Sequence, residues 1–581
     1  MKKYLLPLIL IICLVFSLSV YSADLYSTYD QRIKLTIDNT KVDSDLTWFP
    51  VMIKLTSSQM EEVFAEFDSD DDFDRCAITL ADESTQIYGD CERFDDSESV
   101  AEYHVAKTGV ITDADAAGYL YFYYDKDAAH NTTYVSMSGY TAAQSVYDAN
   151  FKAVYHMNDP ETFAEWSARF DAWTEQYEAD VEPDSDGWSL TGTDYASSDG
   201  DILTIDTSDN DAYTCYYSKT PDVDFNAGFY LKTRVKASTD MDDTNDGLIV
   251  QIDDGTQNER FRMYIRNGVV RYFYVGELPG SFEMDTTTSY VIYEIYIKGS
   301  TFWIYADGVQ KATSSVYSKE VSDVVYFGDD SAAGFCKASI DYVYYALGVG
   351  YNPTLTELIV DSTSNANHGT KKGANEPVEA TGKVGQGQDF DGADDHIDRT
   401  TENLTPQTGT FEMLFNTDNV DAAGRMFSEL GGGGYFNFML TGVDDNFKMR
   451  VHDGTAFAEY EEPVSISTWY HAVATFDTSE AKFYIDGAWK STDSSFDGLF
   501  TDGTGIKFGD SRTNLVPYDG KLDEARISDV VRNAAWNKAT YNSLYDTLLT
   551  YGDEETPAGI VWNGVTITKW NGITITKING K

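Results

Sequence analysis

Carboxylates dominate the chemistry open to this chain: 96 aspartates and glutamates stand against 42 lysines and arginines, a formal charge of −54. Retaining glycoside hydrolysis needs two of them roughly 5 Å apart, which a Glu-x-Asp-x-x-Glu strand supplies by putting alternate side chains on one face. No such strand occurs, and the acidic runs at 68–74 and 459–462 lack interleaved apolar residues and read as solvated loops. Asp68, Asp70 and Asp72 begin like a helix-loop-helix calcium loop, but Phe73 stands where the sharp turn needs glycine and Thr79 where the twelfth ligand should be glutamate. The run 242–247 fails similarly at Thr244. There is no Gly-x-Ser-x-Gly elbow and no His-Glu-x-x-His helix, and the four glycines at 431–434 lack the lysine and hydroxyl of a phosphate loop.

Lys2 and Lys3, the apolar run from Leu5 to Val20 and the small residues around Tyr21 read residues 1–22 as a secretory signal peptide, whose removal takes the charge to −56. Ile12 precedes Cys13 where a lipidated cysteine needs a small neighbour, so Cys13 belongs to the apolar run. An exported chain favours disulfides, with Cys76–Cys91 and Cys215–Cys336 as the candidate pairs and buried thiols as the alternative. No Cys-x-x-Cys pair occurs and the seven histidines are scattered, so a transition-metal site is not expected. No later apolar stretch approaches the roughly 20 residues that span a bilayer. The charge repels nucleic acid and anionic membranes. The expected location is secreted, extracellular or at the cell surface.

These residues must be positioned by strands. Alternating aromatic runs such as 119–124 and 261–266, punctuated by Asp-Gly and Asn-Gly turns, predict an all-β chain. A passage is also written twice. Residues 290–311 align without a gap with 469–490, sharing Tyr305/Tyr484, Asp307-Gly308/Asp486-Gly487 and Lys311/Lys490, and Phe327-Gly328-Asp329 returns as Phe508-Gly509-Asp510. A unit this long is a domain, not a solenoid repeat. Two helical patterns interrupt the strands: Asp159-Pro160 followed by Phe163, Trp166, Phe170, Trp173 and Tyr177 on one face, read as a linker helix packing on a sandwich, and residues 533–544. The Trp-Asn-Gly repeats of the tail signal hairpins, either an attachment segment or an edge extension.

Asp361-Ser362-Thr363-Ser364-Asn365-Ala366-Asn367-His368-Gly369, Gly382-Lys383-Val384-Gly385-Gln386-Gly387, Phe390-Asp391-Gly392, Trp469-Tyr470-His471 and Leu522-Asp523-Glu524-Ala525-Arg526-Ile527 together resemble the laminin-G-like, concanavalin A-like jelly roll. Trp48-Phe49-Pro50-Val51, the aromatic strand at 121–124 and Tyr147-Asp148-Ala149-Asn150-Phe151 resemble an uncharacterised secreted β-domain that commonly precedes such modules in prokaryotic surface proteins, though Asp125-Lys126 stands where that family has Gly-Asn. In the jelly-roll family the Asp361 motif follows a strand like 154–158 within a few residues, whereas here 161–352 intervene, so the upstream copy is read as nested in the downstream one. The expected organisation is a signal peptide at 1–22, a β-sandwich at 24–149, an outer jelly roll at 150–160 and 353–551, a nested jelly roll at 161–352, and a repeat tail at 552–581. The resemblance implies calcium at the sheet rim near Asp361, Asp391 and Asp523, with Tyr435, Trp489 and Tyr518 as sugar-facing aromatics. It implies non-catalytic recognition of an extracellular glycan or surface protein. The alternatives are a structural component of a surface layer or virion appendage, and a glycoside hydrolase.

Overall fold

The computed structural model describes residue 25 and residues 28–574, except 59, 68, 107–109, 113–117, 161–162, 164–165, 168–169, 171–172, 209–213, 242–246, 331–334, 350, 352–357, 373–375, 401–407, 431–434, 453–455, 496–502, 557–559, 563–564, 568 and 571–572. The signal peptide reading lies outside the described residues. Antiparallel sheets dominate, as the aromatic alternation requires. The chain divides into two compact units, Met1–Pro160 with Glu357–Lys581, and Glu161–Thr356.

In the first unit, one sheet runs Val51–Thr56, Val100–Ala106, Gln86–Asp95, Cys76–Leu80, Tyr119–Tyr124, Gln31–Ile37 and Leu549–Glu555. Its last strand arrives from the far end of the sequence: Leu35 pairs with Tyr551 and Ile37 with Leu549. Residues 549–551, assigned above to the jelly roll, thus complete the N-terminal sheet. Ile33, Ile53, Phe122 and Val105 fill its core. The helix Ala534–Leu544 begins at Asn533, whose side chain accepts from the Trp536 amide, the capping that residue type favours. Trp536 stands edge-on to Phe49 at 5.0 Å, and Arg532 lies over its ring.

The jelly roll of this unit faces two sheets across a core of Phe390, Phe411, Phe427, Phe438 and Phe508. One runs Val378–Thr381, Gln386–Asp391, Asp519–Ser528, Gly409–Thr417, Trp469–Phe476, Ala481–Ile485 and Ala488–Asp493. Phe151–Tyr155 also pairs with Asp519–Ser528, setting Val154 against Arg526. The other sheet includes His396–Arg399, Gly505–Phe508, Ala423–Leu430 and Tyr435–Thr441 in that order.

The second unit repeats this order. Lys337–Leu347, Phe229–Ala237, Val291–Lys298, Thr301–Ala306 and Val309–Ser315 follow one another as their counterparts do in the first unit, and Glu175–Tyr177 pairs with Lys337–Leu347. The repeated Asp-Gly explains the shared passage. Asp307 and Gly308 have φ of 49° and 74°, and Asp486 and Gly487 of 52° and 71°, the left-handed pair that a tight type I′ hairpin demands. Each aspartate also accepts from a backbone amide of the neighbouring strand, Ile292 in one copy and His471 in the other, both at 2.9 Å. Phe163, Trp166, Phe170 and Trp173 pack on the outer face of the second unit's sheet against Tyr230, Tyr296 and Tyr305, while Tyr177 enters the core between its sheets. The intervening residues of that helical pattern lie partly outside the described set.

The cysteines differ from the expectation. All four are buried thiols, and the described residues form no disulfide. The strand Cys76–Leu80 pairs with Gln86–Asp95 at Ile78–Ile87 and Thr79–Gln86, whereas Cys91, further along, is flanked by Tyr103 and Met137 on two other strands. Cys76 instead donates to the Phe73 carbonyl at 3.4 Å. Cys215 lies on the strand Cys215–Lys219 of one sheet, accepting from the Tyr195 amide. Cys336 precedes the strand Lys337–Leu347 of the facing sheet, held by its backbone to Thr207. In the tail, Ile560–Trp562 pairs with Val565–Ile567 and Lys569–Trp570 with Ile573–Thr574.

Candidate functional site at the rim of the outer jelly roll

The three aspartates expected to share a cation do not converge. Asp361 is fully buried and accepts from the amides of Val154 (3.0 Å), Thr363 (2.9 Å) and Asn367 (2.8 Å) and from the Thr363 hydroxyl (3.0 Å). Its carboxylate fastens the motif loop to the strand Phe151–Tyr155, each oxygen accepting two hydrogen bonds. Asp523, also buried, accepts through Oδ2 from the Lys383 and Val384 amides at 2.7 and 3.0 Å, holding the Gly-Lys-Val-Gly turn. That turn comes so close to the N-terminal sheet that a Cβ at Gly385 (φ +49°) would meet Glu92 Oε1 at 2.4 Å.

Only Asp391 remains at the rim, and the structure gives it different companions. The strand Gln386–Asp391 ends in a turn where Ala393 N–H donates to Asp391 Oδ1 (2.8 Å) and Asp391 N–H to Asp395 Oδ2 (3.1 Å). Gly392 has φ +73°, and a Cβ there would sit 2.9 Å from Cβ of Asp519. Glycine is therefore required both by the backbone and by the close approach. The result is a cluster in which carboxylate oxygens of Asp391, Asp394 and Asp395 lie within 4.8 Å of one another. Asp391 and Asp394 are exposed and Asp395 is buried, its Oδ1 without a partner. Burial, then the charges of Asp391 and Asp394, push the Asp395 carboxyl above its ordinary range. Asp519, paired with Asp391 across the strands, is pushed up by burial and then by Asp418.

Beside this turn opens a cleft of about 280 Å³, walled by Gly392, Asn419, Gly424, Leu515, Pro517 and Asp519. The 511–517 loop is pinned by Asp510, which accepts from Val516 N–H at 2.9 Å, and presents Leu515 to solvent at 76% exposure. The lining is thus mostly apolar, with Asn419 and Asp519 as its polar side chains, the mixture that orients a small polar ligand. Hard carboxylate oxygens of this kind suit calcium.

Of the expected aromatics, Tyr518 is a core residue. It is fully buried among Phe390 and its neighbours, and its hydroxyl donates to the Asn416 carbonyl at 2.9 Å. A tyrosine beside Asp-Gly looks like a loop platform in sequence, but the following strand turns it inward. Trp489 is 58% exposed on the edge strand Ala488–Asp493 and does not line the cleft. Tyr435 opens the strand Tyr435–Thr441, its backbone opposite His452; its side chain lies outside the described set. Asp394 and Asp395 were missed because only the folded turn brings their carboxylates toward Asp391, Asp519 because cross-strand pairing sets it opposite Asp391, and Leu515 because a loop carries it to the cleft.

Residues 391–536 match a laminin-G-type family model described as the concanavalin A-like lectin/glucanases superfamily. No curated protein matches the chain. Solved structures similar to parts of it include domain 4 of AbnA, a GH43 extracellular arabinanase from Geobacillus stearothermophilus, in complex with arabinotriose, at 18% identity, 32% of this chain, 91% of that one and TM-score 0.27. The mouse laminin α1 chain domains LG4–5 align at 11% identity, 55% of this chain, 88% of that one and TM-score 0.22. The CBM40 of the Ruminococcus gnavus IT-sialidase bound to α2,6-sialyllactose aligns at 14% identity, 27% of this chain, 96% of that one and TM-score 0.24.

Proposed function

We propose that this is an exported, non-catalytic binding protein whose outer jelly roll recognises a glycan at the rim cleft, with calcium as the cofactor. The observation that carries this reading is the buried, unpartnered Asp395 Oδ1 set among two exposed carboxylates on the turn whose Gly392 lines the cleft. Asp391, Asp394 and Asp395 would hold the cation, which supplies coordination for saccharide hydroxyls. Leu515 and Pro517 offer an apolar face to ring C–H groups. The match of residues 391–536 to a lectin and glucanase superfamily supports the same reading.

The proposed role is binding without catalysis, and one assay separates the two. Binding to a broad glycan array with and without EGTA tests the proposal. A hit abolished by chelation and by Asp395→Asn, without release of reducing sugar, is expected. Hits indifferent to both, or reducing ends liberated from polysaccharide, would overturn it.

A further inference from the structure

A second cluster lies deep in the first unit, where the N-terminal sheet packs on the jelly roll. Glu92 and His104 come from the neighbouring strands Gln86–Asp95 and Val100–Ala106. His156 follows Phe151–Tyr155, and Glu524 lies on Asp519–Ser528. All four are buried.

Their donor atoms alternate nitrogen and oxygen around a small ring. His104 Nε2 lies 3.0 Å from Glu92 Oε2, which lies 3.4 Å from His156 Nδ1. His156 Nδ1 is 2.5 Å from Glu524 Oε1, which is 3.4 Å from His104 Nε2, and all four atoms fall within 4.8 Å of one another. A tetrahedral ion with bonds of about 2.0–2.1 Å to nitrogen and oxygen needs donors about 3.3 Å apart. The observed separations bracket that edge. We propose that Glu92, His104, His156 and Glu524 form a structural site for a divalent transition metal of the zinc class, clamping the N-terminal sandwich to the jelly roll with two ligands from each.

The surroundings are those of a metal site. His156 Nε2–H donates to Asp90 Oδ2 at 2.9 Å, leaving Nδ1 as the ligand atom. Asp90 is itself held by Ser138 Oγ (2.6 Å) and the Tyr147 hydroxyl (3.0 Å). Carboxylates that orient ligating imidazoles in this way recur behind metal centres. Glu524 Oε2 is engaged by Arg526 Nε at 3.0 Å, so only Oε1 faces the ring. Glu92 Oε1 and His104 Nδ1 are buried without partners.

Charge points the same way. Glu92 and Glu524 offer two carboxylates to one divalent cation, and Asp523 is a further buried carboxylate. Imidazole nitrogen selects zinc, copper, iron or nickel over calcium, which takes six to eight oxygens. Four closed protein ligands mark a structural site, not a catalytic one. Histidines 52 residues apart in sequence carry no ligand spacing, which is why scattered histidines hid it.

The test uses the full chain, stripped with a strong chelator, dialysed and titrated with Zn2+ and, separately, with Co2+. The expected result is one tightly held zinc per chain, a rise in melting temperature on loading, and the visible absorption of tetrahedral Co2+. Glu92→Gln and His104→Gln should weaken zinc by more than the roughly 10–100-fold that outer-shell changes cost, and Asp90→Asn by about that range. Asp395→Asn at the rim should leave zinc affinity unchanged. A folded wild-type chain that takes up no stoichiometric zinc, octahedral Co2+ absorption, or Glu92→Gln binding zinc as wild type does would each overturn the proposal. If the ligand variants fail to fold, the wild-type cobalt spectrum alone decides.

Discussion

Replacing Asp361 by alanine separates a structural carboxylate from a cation ligand. Its side chain satisfies three backbone N–H groups and the Thr363 hydroxyl, and it is wholly buried. Asn367 N–H is only part-buried and can turn to water once the acceptor is gone, so the loss falls on the amides of Val154 and Thr363. Each buried unsatisfied donor costs about 1–3 kcal/mol, which places Asp361→Ala at about 4 kcal/mol. Asp361→Asn keeps one acceptor oxygen and should cost about half as much by the same reasoning. A chain of two units does not unfold as one step, so the readout is local hydrogen exchange. At 1.4 kcal/mol per factor of ten, the Val154 amide should exchange roughly a thousandfold faster in the alanine variant. Calcium affinity should not change. An alanine variant with unaltered Val154 protection, or one that keeps its protection and loses calcium, would refute the assignment.

Other outcomes follow from the same contacts. Trp536→Ala, which empties the space between Phe49, Phe151 and Arg532, should cost about 3–5 kcal/mol by denaturant unfolding of the first unit. Tyr518→Phe should lose about 1 kcal/mol, the worth of its bond to the Asn416 carbonyl, with glycan binding intact. Trp489→Ala should change stability by less than about 0.5 kcal/mol and leave binding at the cleft unaltered. His368 accepts the Asp361 amide through Nδ1 at 3.1 Å, and burial followed by Arg399 holds its pKa below the ordinary value. The unfolded chain then takes the proton first, so stability should fall as pH drops below about 6.5. His368→Gln should flatten that part of a melting-temperature profile.

Much of the fold was legible because it rests on local rules. Asn533 reads as a cap and is one; Asp307-Gly308 and Asp486-Gly487 read as hairpin turns and carry the positive φ those turns need. The aromatic run at 119–124 forms a strand buried on both faces, Leu120, Phe122 and Tyr124 in one cluster and Tyr121 and Tyr123 in another. What escaped depends on distant pairing. Nothing in 549–555 announces a partner at 31–37, and only strand pairing shows that Cys91 is flanked by Tyr103 and Met137. The rim was half legible: Asp391 was visible through its motif, but Asp395 matters through an orphaned oxygen, and Asp523 and Asp361, on equally conspicuous motifs, hold backbone instead.

Calorimetric titration of calcium into the chelator-treated full chain, run in parallel on wild type and Asp395→Asn, tests the central claim most directly. The account predicts a saturable single-site heat for wild type that disappears in the variant while both remain folded. Equal heats from the two proteins, or none from wild type, would contradict it.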